Sequence, residues 1–214
     1  MILKKECYND ERAIKKGNSL MLKKVIEEAF PTVLAFTMSG MYSIADGIFV
    51  GKAAGDTGLA AINIAWPIPA LITALGIGIG TGGSVLYSHY RGRGEQKVCE
   101  NLFELTMTLL IGTGILATIL LSLVQKPFLE ILGAAGSVQT EAIKYTAIII
   151  AGSILQVAGT GIMPLLRNMN QSLGAMLSMA AGFAVNILVN YYLMFRLNMG
   201  IRGAAFGTVT AQEI

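Results

Sequence analysis

The chain has 214 residues, of which 54% are hydrophobic and only 14% are charged, and it contains 25 glycines. About a quarter of the residues of a soluble domain are charged, so this composition excludes a soluble domain and predicts an integral membrane protein. The net charge of +3 does not indicate a nucleic-acid partner, because the basic residues crowd the N-terminus ahead of long apolar runs, where membrane topology places them.

The first 28 residues mix basic and acidic side chains and lack the short apolar core of a cleaved signal peptide. Lys23 and Glu27, and likewise Lys24 and Glu28, are four residues apart, a spacing that stabilises a helix in water. We therefore predict that residues 1–28 form a cytoplasmic segment with an amphipathic helix, and that residues 29–214 form one transmembrane lobe.

The remaining sequence predicts an all-α, polytopic helical bundle, because a membrane-spanning helix needs ~20 mostly apolar residues. Five complete spans are predicted, at about residues 29–51, 58–88, 102–124, 140–163 and 173–195, and a sixth begins near Ala204. The chain stops about ten residues into that sixth helix, which is too short to cross a bilayer. We therefore expect a truncated product or a fragment of a longer protein.

Orientation follows from the basic residues, which concentrate on the cytoplasmic side of membrane proteins. With the N-terminus inside, eleven of the 16 lysines and arginines lie on that side and five on the other. The sequence therefore predicts a multi-pass protein of the cell membrane with a cytoplasmic N-terminus.

The first span carries one carboxylate, Asp46. An aspartate inside a membrane span costs ~2.5–3.5 kcal/mol and usually faces a protein interior or a watery cavity. Helical spacing places Thr32, Ser39 and Tyr42 on or near the same stripe. Asp46 is thus the first candidate functional residue; alternatively, it pairs with a basic neighbour or caps a helix end near the interface.

Other polar groups lie within the later spans. Asn186 and Asn190 are one turn apart on the fifth helix, Thr208 lies in the sixth and Gln156 in the fourth. Such oxygen-bearing side chains can ligate a cation or relay a proton. They can equally hold helices together through hydrogen bonds. Both interpretations remain open from these residues alone.

The segment from Gly78 to Gly83, GIGTGG, matches the dinucleotide-binding pattern G-x-G-x-x-G. That motif requires a preceding strand, whereas here it lies inside an apolar span, so close helix packing is the favoured interpretation. The sequence has no Ser/His/Asp set, cysteine cluster or paired carboxylates at catalytic spacing. We expect neither enzymatic activity nor a bound cofactor.

Several runs together resemble the MATE transporters, the multidrug and toxic compound extrusion family, over about residues 20–214. The resemblance is carried by six runs: MYSIADGIFVG at 41–51, GLAA at 58–61, WP at 66–67, LRN at 166–168, VNILVN at 185–190 and MGIRGAA at 199–205.

This resemblance implies a transporter of two six-helix lobes, of which the chain supplies the first and not all of that. It also implies secondary active efflux, in which organic, often cationic, compounds are exchanged for protons or sodium ions. The missing second lobe would be required for a complete carrier.

The resemblance also assigns roles to individual residues. Asp46 matches the coupling-ion aspartate of the first helix, and Asn186 and Thr208 match polar residues of the fifth and sixth helices. A coupling sodium ion would be held by Asp46 and Asn186. Where many members carry a second aspartate, this chain has Asn190, which leaves the site with one carboxylate.

Three further residues are expected at the hinge and the substrate cavity. Pro31 matches the bending proline of the first helix, and a proline inside a helix removes a backbone hydrogen bond and bends it. Tyr42 matches a tyrosine near the site, and Gln156 is the polar group of the fourth span.

Two alternatives remain. A related flippase-type carrier would move a lipid-linked or anionic substrate, and its cavity should be rich in intramembrane basic residues. The predicted spans have none near their middles. The other alternative is a truncated membrane fragment that transports nothing because it lacks a closed pathway.

Overall fold

The computed structural model describes residues 2–169 and 171–211, with side chains described at 25, 26 and from residue 29 onward. The helix pairs predicted within residues 1–28 involve side chains outside this description. The described helices are α1 (Ile2–Ala65), α2 (Pro67–Gly92), α3 (Gln96–Ile131), α4 (Gly136–Ala151), α5 (Ser153–Asn168), α6 (Ser172–Tyr191) and α7 (Ile201–Ala211). A π-helical turn, Tyr192–Arg196, follows α6.

Helix α1 is broken at Gly55, whose backbone angles (φ 64°, ψ −165°) are not helical. Only glycine adopts a positive φ without steric cost. The residues after this break fold back on those before it, because a Cβ on Gly58 would overlap the Cβ of Ala54. Residues 52–57, between the predicted spans 29–51 and 58–88, therefore leave the helical conformation only at Gly55.

Pro31 lies inside α1 and is buried. Within the described part of α1, the one position with non-helical backbone angles is Gly55, so the helix runs through Pro31 without a break. The bend expected at this proline stays a prediction.

Within the described residues, three stretches are long and apolar enough to cross a membrane: Ala29–Gly92, Gln96–Ile131 and Ser172–Arg196. Helices α4 and α5 add a fourth span if the bent pair is taken as one. The break at Gly55 divides the first stretch into two pieces that each exceed the ~20 residues a span requires. These make five spans, and α7 begins a sixth, which confirms the predicted all-α bundle.

The fourth span is bent by 60° between α4 and α5, which the sequence did not predict. The bend occurs at Gly152, where a Cβ would lie 2.6 Å from a methyl group of Val209 on α7. On the α3 side, the Ser153 hydroxyl lies 2.6 Å from that of Thr118. The bend is therefore held between α3 and α7.

The glycine-rich part of α2 packs directly against two other helices. A Cβ on Gly80 would overlap the backbone of Gly161 on α5, and one on Gly83 would overlap Thr106 on α3. By contrast, a Cβ on Gly78 would meet nothing within 4 Å. The close helix packing predicted for this segment is confirmed at Gly80 and Gly83.

Candidate functional site

Polar side chains from α1 and α6 meet inside the bundle at Asp46. The Asn190 amide nitrogen donates hydrogen bonds to Asp46 Oδ1 (2.7 Å) and to Asn186 Oδ1 (2.8 Å). Both asparagines are fully buried, and their spacing places them on one face of α6. Asp46 is thereby attached to α6 through a side chain that cannot carry charge.

The same network continues to Tyr42 and α7. The Asn186 amide nitrogen donates to the Tyr42 hydroxyl (3.3 Å), which lies 3.4 Å from the Thr208 hydroxyl. Because Thr208 donates its own proton to the Ala204 carbonyl (3.0 Å), the Tyr42 hydroxyl is the donor toward Thr208. We call the sequence Asp46–Asn190–Asn186–Tyr42–Thr208 the polar chain.

Two aromatic residues complete the surroundings of the polar chain. The ring of Tyr42 stacks on that of Phe183, with centroids 5.2 Å apart and planes within 7°. Tyr145 on α4 is also buried, and α4 packs against α7, the helix that carries Thr208. Sequence reasoning missed Tyr145, although a tyrosine in an apolar span needs a partner for its hydroxyl and could have been noticed for that reason.

Helix α7 approaches the polar chain through Gly207, at which a Cβ would overlap the Asn190 side-chain oxygen. That buried oxygen has no hydrogen-bond partner among the described residues. Leaving a buried acceptor unpaired costs ~1–3 kcal/mol. Beside the Asp46 carboxylate, it offers a second oxygen of the kind that hard cations bind.

A cavity of about 790 Å³ lies at one end of the bundle. Tyr42 and Thr208 belong to its wall, whereas Asp46, Asn186 and Asn190 do not. Its remaining described lining comes from α1, α2, α5, α6 and α7: Phe36, Ser39, Thr73, Ile77, Thr81, Ser84, Val85, Gly159, Thr160, Met163, Pro164, Arg167, Asn168, Ser178, Met179, Phe183 and Ala211. The polar chain therefore connects the carboxylate to the cavity wall.

Two of the residues expected at the cavity lie elsewhere. Neither Pro31 nor Gln156 belongs to the described lining. Gln156 is fully buried, and both of its side-chain polar atoms lack a partner within the described part of the chain. The roles predicted for these two residues stay predictions, and the structure brings neither into the polar chain.

Arg167 is a cavity residue that sequence reasoning did not single out. It lies in the last turn of α5, and in the sequence it stands out only as part of the LRN run at 166–168. In the structure its guanidinium carbon lies 5.2 Å from the ring centroid of Phe36, and Nη2 lies 3.4 Å from the sulfur of Met179. Arg167 reaches the cavity wall from the end of a span. The absence of basic residues near the middles of the predicted spans therefore did not reveal it.

Comparison with known proteins gives a family match over residues 31–192, to the MatE model. The multidrug export protein MepA of Staphylococcus haemolyticus is 22% identical over 211 residues, covering 96% of this chain and 45% of the relative. MepA of Staphylococcus aureus is 23% identical over 203 residues, covering 93% and 44%. The chain thus spans less than half the length of these relatives.

Solved structures show the same correspondence. A crystal structure of MATE in complex with MaD3S has a TM-score of 0.83 and 26% identity, over 88% of this chain and 42% of that one. A MOP superfamily transporter from Pyrococcus furiosus has a TM-score of 0.79 and 25% identity, over 88% and 41%. The helices described above therefore match one half of these transporters.

Proposed function

The chain belongs to the MatE family, and from this membership we propose that it forms the first lobe of a secondary active efflux antiporter. The carrier would sit in the cell membrane with a cytoplasmic N-terminus and exchange organic compounds, often cationic, for protons or sodium ions. It is a multi-pass membrane protein whose relatives are multidrug transporters, which supports transport rather than enzymatic chemistry.

The observation that carries the proposal is the polar chain. Asp46 accepts a hydrogen bond from Asn190, whose partner Asn186 donates to Tyr42 in the cavity wall. A proton or a metal ion that binds the Asp46 carboxylate would weaken this hydrogen bond, because it withdraws negative charge from the accepting oxygen. A ligand shifts a conformational equilibrium only if it binds one conformation better than the other. Ion binding at Asp46 would therefore favour a conformation that lacks the Asn190–Asp46 hydrogen bond over the one that has it.

The oxygen atoms near Asp46 are compatible with either coupling ion. A proton needs only the carboxylate, whereas sodium needs several oxygens, which Asp46, Asn186 and the unpaired Asn190 oxygen could supply. Among the described residues, no group of three His, Cys, Asp or Glu side chains could hold a metal ion. A sodium site here would thus combine the single Asp46 carboxylate with amide oxygens.

The cavity has the properties expected of a compartment for an organic compound. Ligand pockets commonly measure ~300–1,000 Å³ and combine apolar walls with a few polar groups, and this cavity of about 790 Å³ has both. It lies at the end of the bundle that the basic residues predict to be cytoplasmic. Because the chain spans less than half of its relatives, we propose that a second lobe closes the pathway.

The proposal is tested in cells that lack their own efflux pumps, with the chain expressed alone or joined to the second lobe of a relative. Accumulation of a panel of fluorescent lipophilic dyes is measured with and without proton and sodium gradients. We expect gradient-dependent exclusion of at least one dye by the joined form. Exclusion by the short chain alone would contradict the need for a second lobe.

Asp46→Asn supplies the decisive variant, with Asp56→Asn as its matched control. Asp56 is exposed beside the break in α1 and lies outside the polar chain. We expect Asp46→Asn to abolish gradient-driven exclusion at unchanged membrane content, and Asp56→Asn to retain it. Undiminished exclusion in Asp46→Asn would refute the coupling role.

A further inference from the structure

The charge of the cavity wall is positive on this lobe. Among the described lining residues, Arg167 is the one charged side chain, and no carboxylate is present. Asp46 lies behind the wall, with its Oδ1 occupied by the amide of Asn190. A compound in the cavity would therefore meet the field of a guanidinium before that of a carboxylate.

The partners of Arg167 hold it in place without neutralising it. The guanidinium lies over the ring of Phe36 and points one nitrogen at the sulfur of Met179. A ring face and a thioether are neutral, and the sulfur is a weak acceptor, whereas guanidinium carries five N–H donors. Among the side chains that the structure describes, no carboxylate pairs with Arg167, so most of its donors are available to a ligand.

The cavity wall that contains Arg167 fits the body of an amphipathic molecule. Phe36 and Phe183 provide aromatic surfaces, Met179 an adaptable apolar one, and Ser39 and Ser178 provide hydroxyl groups. Arginine recognises carboxylates, sulfonates and phosphates through paired hydrogen bonds. An aromatic or alkyl body with one anionic end matches this combination.

We infer that Arg167 and Phe36 form a recognition site for the anionic group of an amphipathic compound, so that the cavity of this lobe favours aromatic acids and zwitterions over simple lipophilic cations. The inference rests on the proposed transport function and names the class of compound that the cavity accepts. It also reverses the charge preference that the family resemblance implies.

An arginine near a helix end could instead serve only as an anchor at the membrane interface. Arg93 provides a matched case, because its guanidinium carbon lies 5.8 Å from the ring centroid of Tyr90 and it does not line the cavity. Replacing Arg93 removes an arginine–aromatic pair of the same kind without touching the proposed recognition site.

The test measures direct binding to the purified 214-residue chain in lipid nanodiscs. The probes are a naphthalene sulfonate and a naphthyl trimethylammonium, which share a ring system and differ in charge. We expect the sulfonate to bind about tenfold or more tightly than the cation, as a charge-assisted hydrogen bond allows. Arg167→Gln should remove this preference, Arg167→Lys should retain part of it, and Arg93→Gln should leave it unchanged.

The outcomes separate the inference from the proposed function. If both probes bind equally in the wild-type chain, or if Arg167→Gln leaves the preference intact, the inference is overturned while the coupling role of Asp46 stands. If neither probe binds, the cavity does not accept organic compounds, and the inference and the proposed cargo site fail together. Loss of the preference in Arg93→Gln would assign it to surface charge and overturn the inference.

Anionic groups could come from soluble compounds or from lipid headgroups. Competition of the bound sulfonate by a short-chain phosphatidylglycerol, with the matching phosphatidylcholine as control, distinguishes these sources. Competition by the anionic lipid alone would assign the site to lipid headgroups. Competition by soluble aromatic carboxylates alone would assign it to soluble acids, and competition by phosphatidylcholine would overturn recognition by charge.

Discussion

The two sides of the bundle are held together in different ways. Where α2 meets α5 and α3, glycines bring backbones into direct contact, as at Gly80 against Gly161. Where α1 meets α6 and α7, the contact runs through hydrogen-bonded side chains, from Asp46 to Thr208. Backbone contact leaves no room for rearrangement, whereas side-chain hydrogen bonds can exchange partners.

Under the proposed transport function, this difference predicts which side of the bundle moves. Close-packed interiors switch between discrete arrangements and do not deform gradually. We therefore expect the glycine-packed side to be the fixed part, and the polar chain to mark the interface whose hydrogen bonds change when an ion binds Asp46. Four substitutions test this difference between the two sides of the bundle.

The largest effect is expected from Asn190→Asp. This change removes the donor to Asp46 and Asn186 and buries a second negative charge beside the first, which costs ~3 kcal/mol or more when the charge is uncompensated. A bound proton or sodium ion would offset that cost. We expect the stability to unfolding in detergent to fall sharply at neutral pH without sodium and to recover at low pH or with sodium.

Asn198→Asp is the control for that change, because Asn198 is exposed in the loop before α7. Its positive φ (52°) is one that aspartate also tolerates. Its stability should show no added dependence on pH or sodium. An equal response from both variants would show that the effect does not arise in the polar chain.

The second substitution compares Gly80→Ala with Gly78→Ala on α2. A methyl group at Gly80 would overlap the backbone of Gly161, and overpacking of this kind costs ~1–3 kcal/mol. A methyl group at Gly78 meets nothing within 4 Å, so alanine there should be neutral or slightly stabilising. Unfolding by SDS in mixed micelles measures both, and equal stabilities would contradict backbone packing as the basis of the fixed side.

The third substitution is Gln156→Met on α5. Gln156 buries two polar atoms for which the described residues offer no partner, and replacing an unsatisfied polar group by an apolar one of similar shape is neutral or stabilising. We expect the free energy of unfolding to stay the same or to rise by ~1 kcal/mol. A loss of stability together with lost transport would instead show that Gln156 binds a ligand, ion or water that function requires.

The fourth substitution, Tyr42→Phe, is expected to lower stability only modestly. The ring keeps its stacking on Phe183, and only the hydroxyl that joins Asn186 to Thr208 is lost, at a cost of ~0.5–1.5 kcal/mol. Transport should nevertheless lose much of its dependence on the ion gradient, because the cavity wall is disconnected from Asp46. Tyr191→Phe, at an exposed position of α6, should change neither quantity.

The sequence predicted most of the polar chain because its members are unusual for their surroundings. A carboxylate, two asparagines and a threonine within apolar spans are costly unless they meet, and helical spacing shows which face each occupies. Tyr145 and Arg167 were missed for the opposite reason. A tyrosine within a span and an arginine at the end of one are ordinary in membrane proteins, so only their positions in space reveal their contacts.

The sequence by itself determined that the chain is a helical membrane bundle and that Asp46, Asn186, Asn190 and Thr208 are polar groups within its apolar stretches, because apolar runs and isolated polar groups follow from transfer energies alone. Only the tertiary structure decided that the fourth span bends at Gly152, that the glycine-rich segment packs at Gly80 and not at Gly78, and that Arg167 enters the cavity wall. These features depend on which helices are neighbours, and that depends on long-range packing that no local pattern encodes.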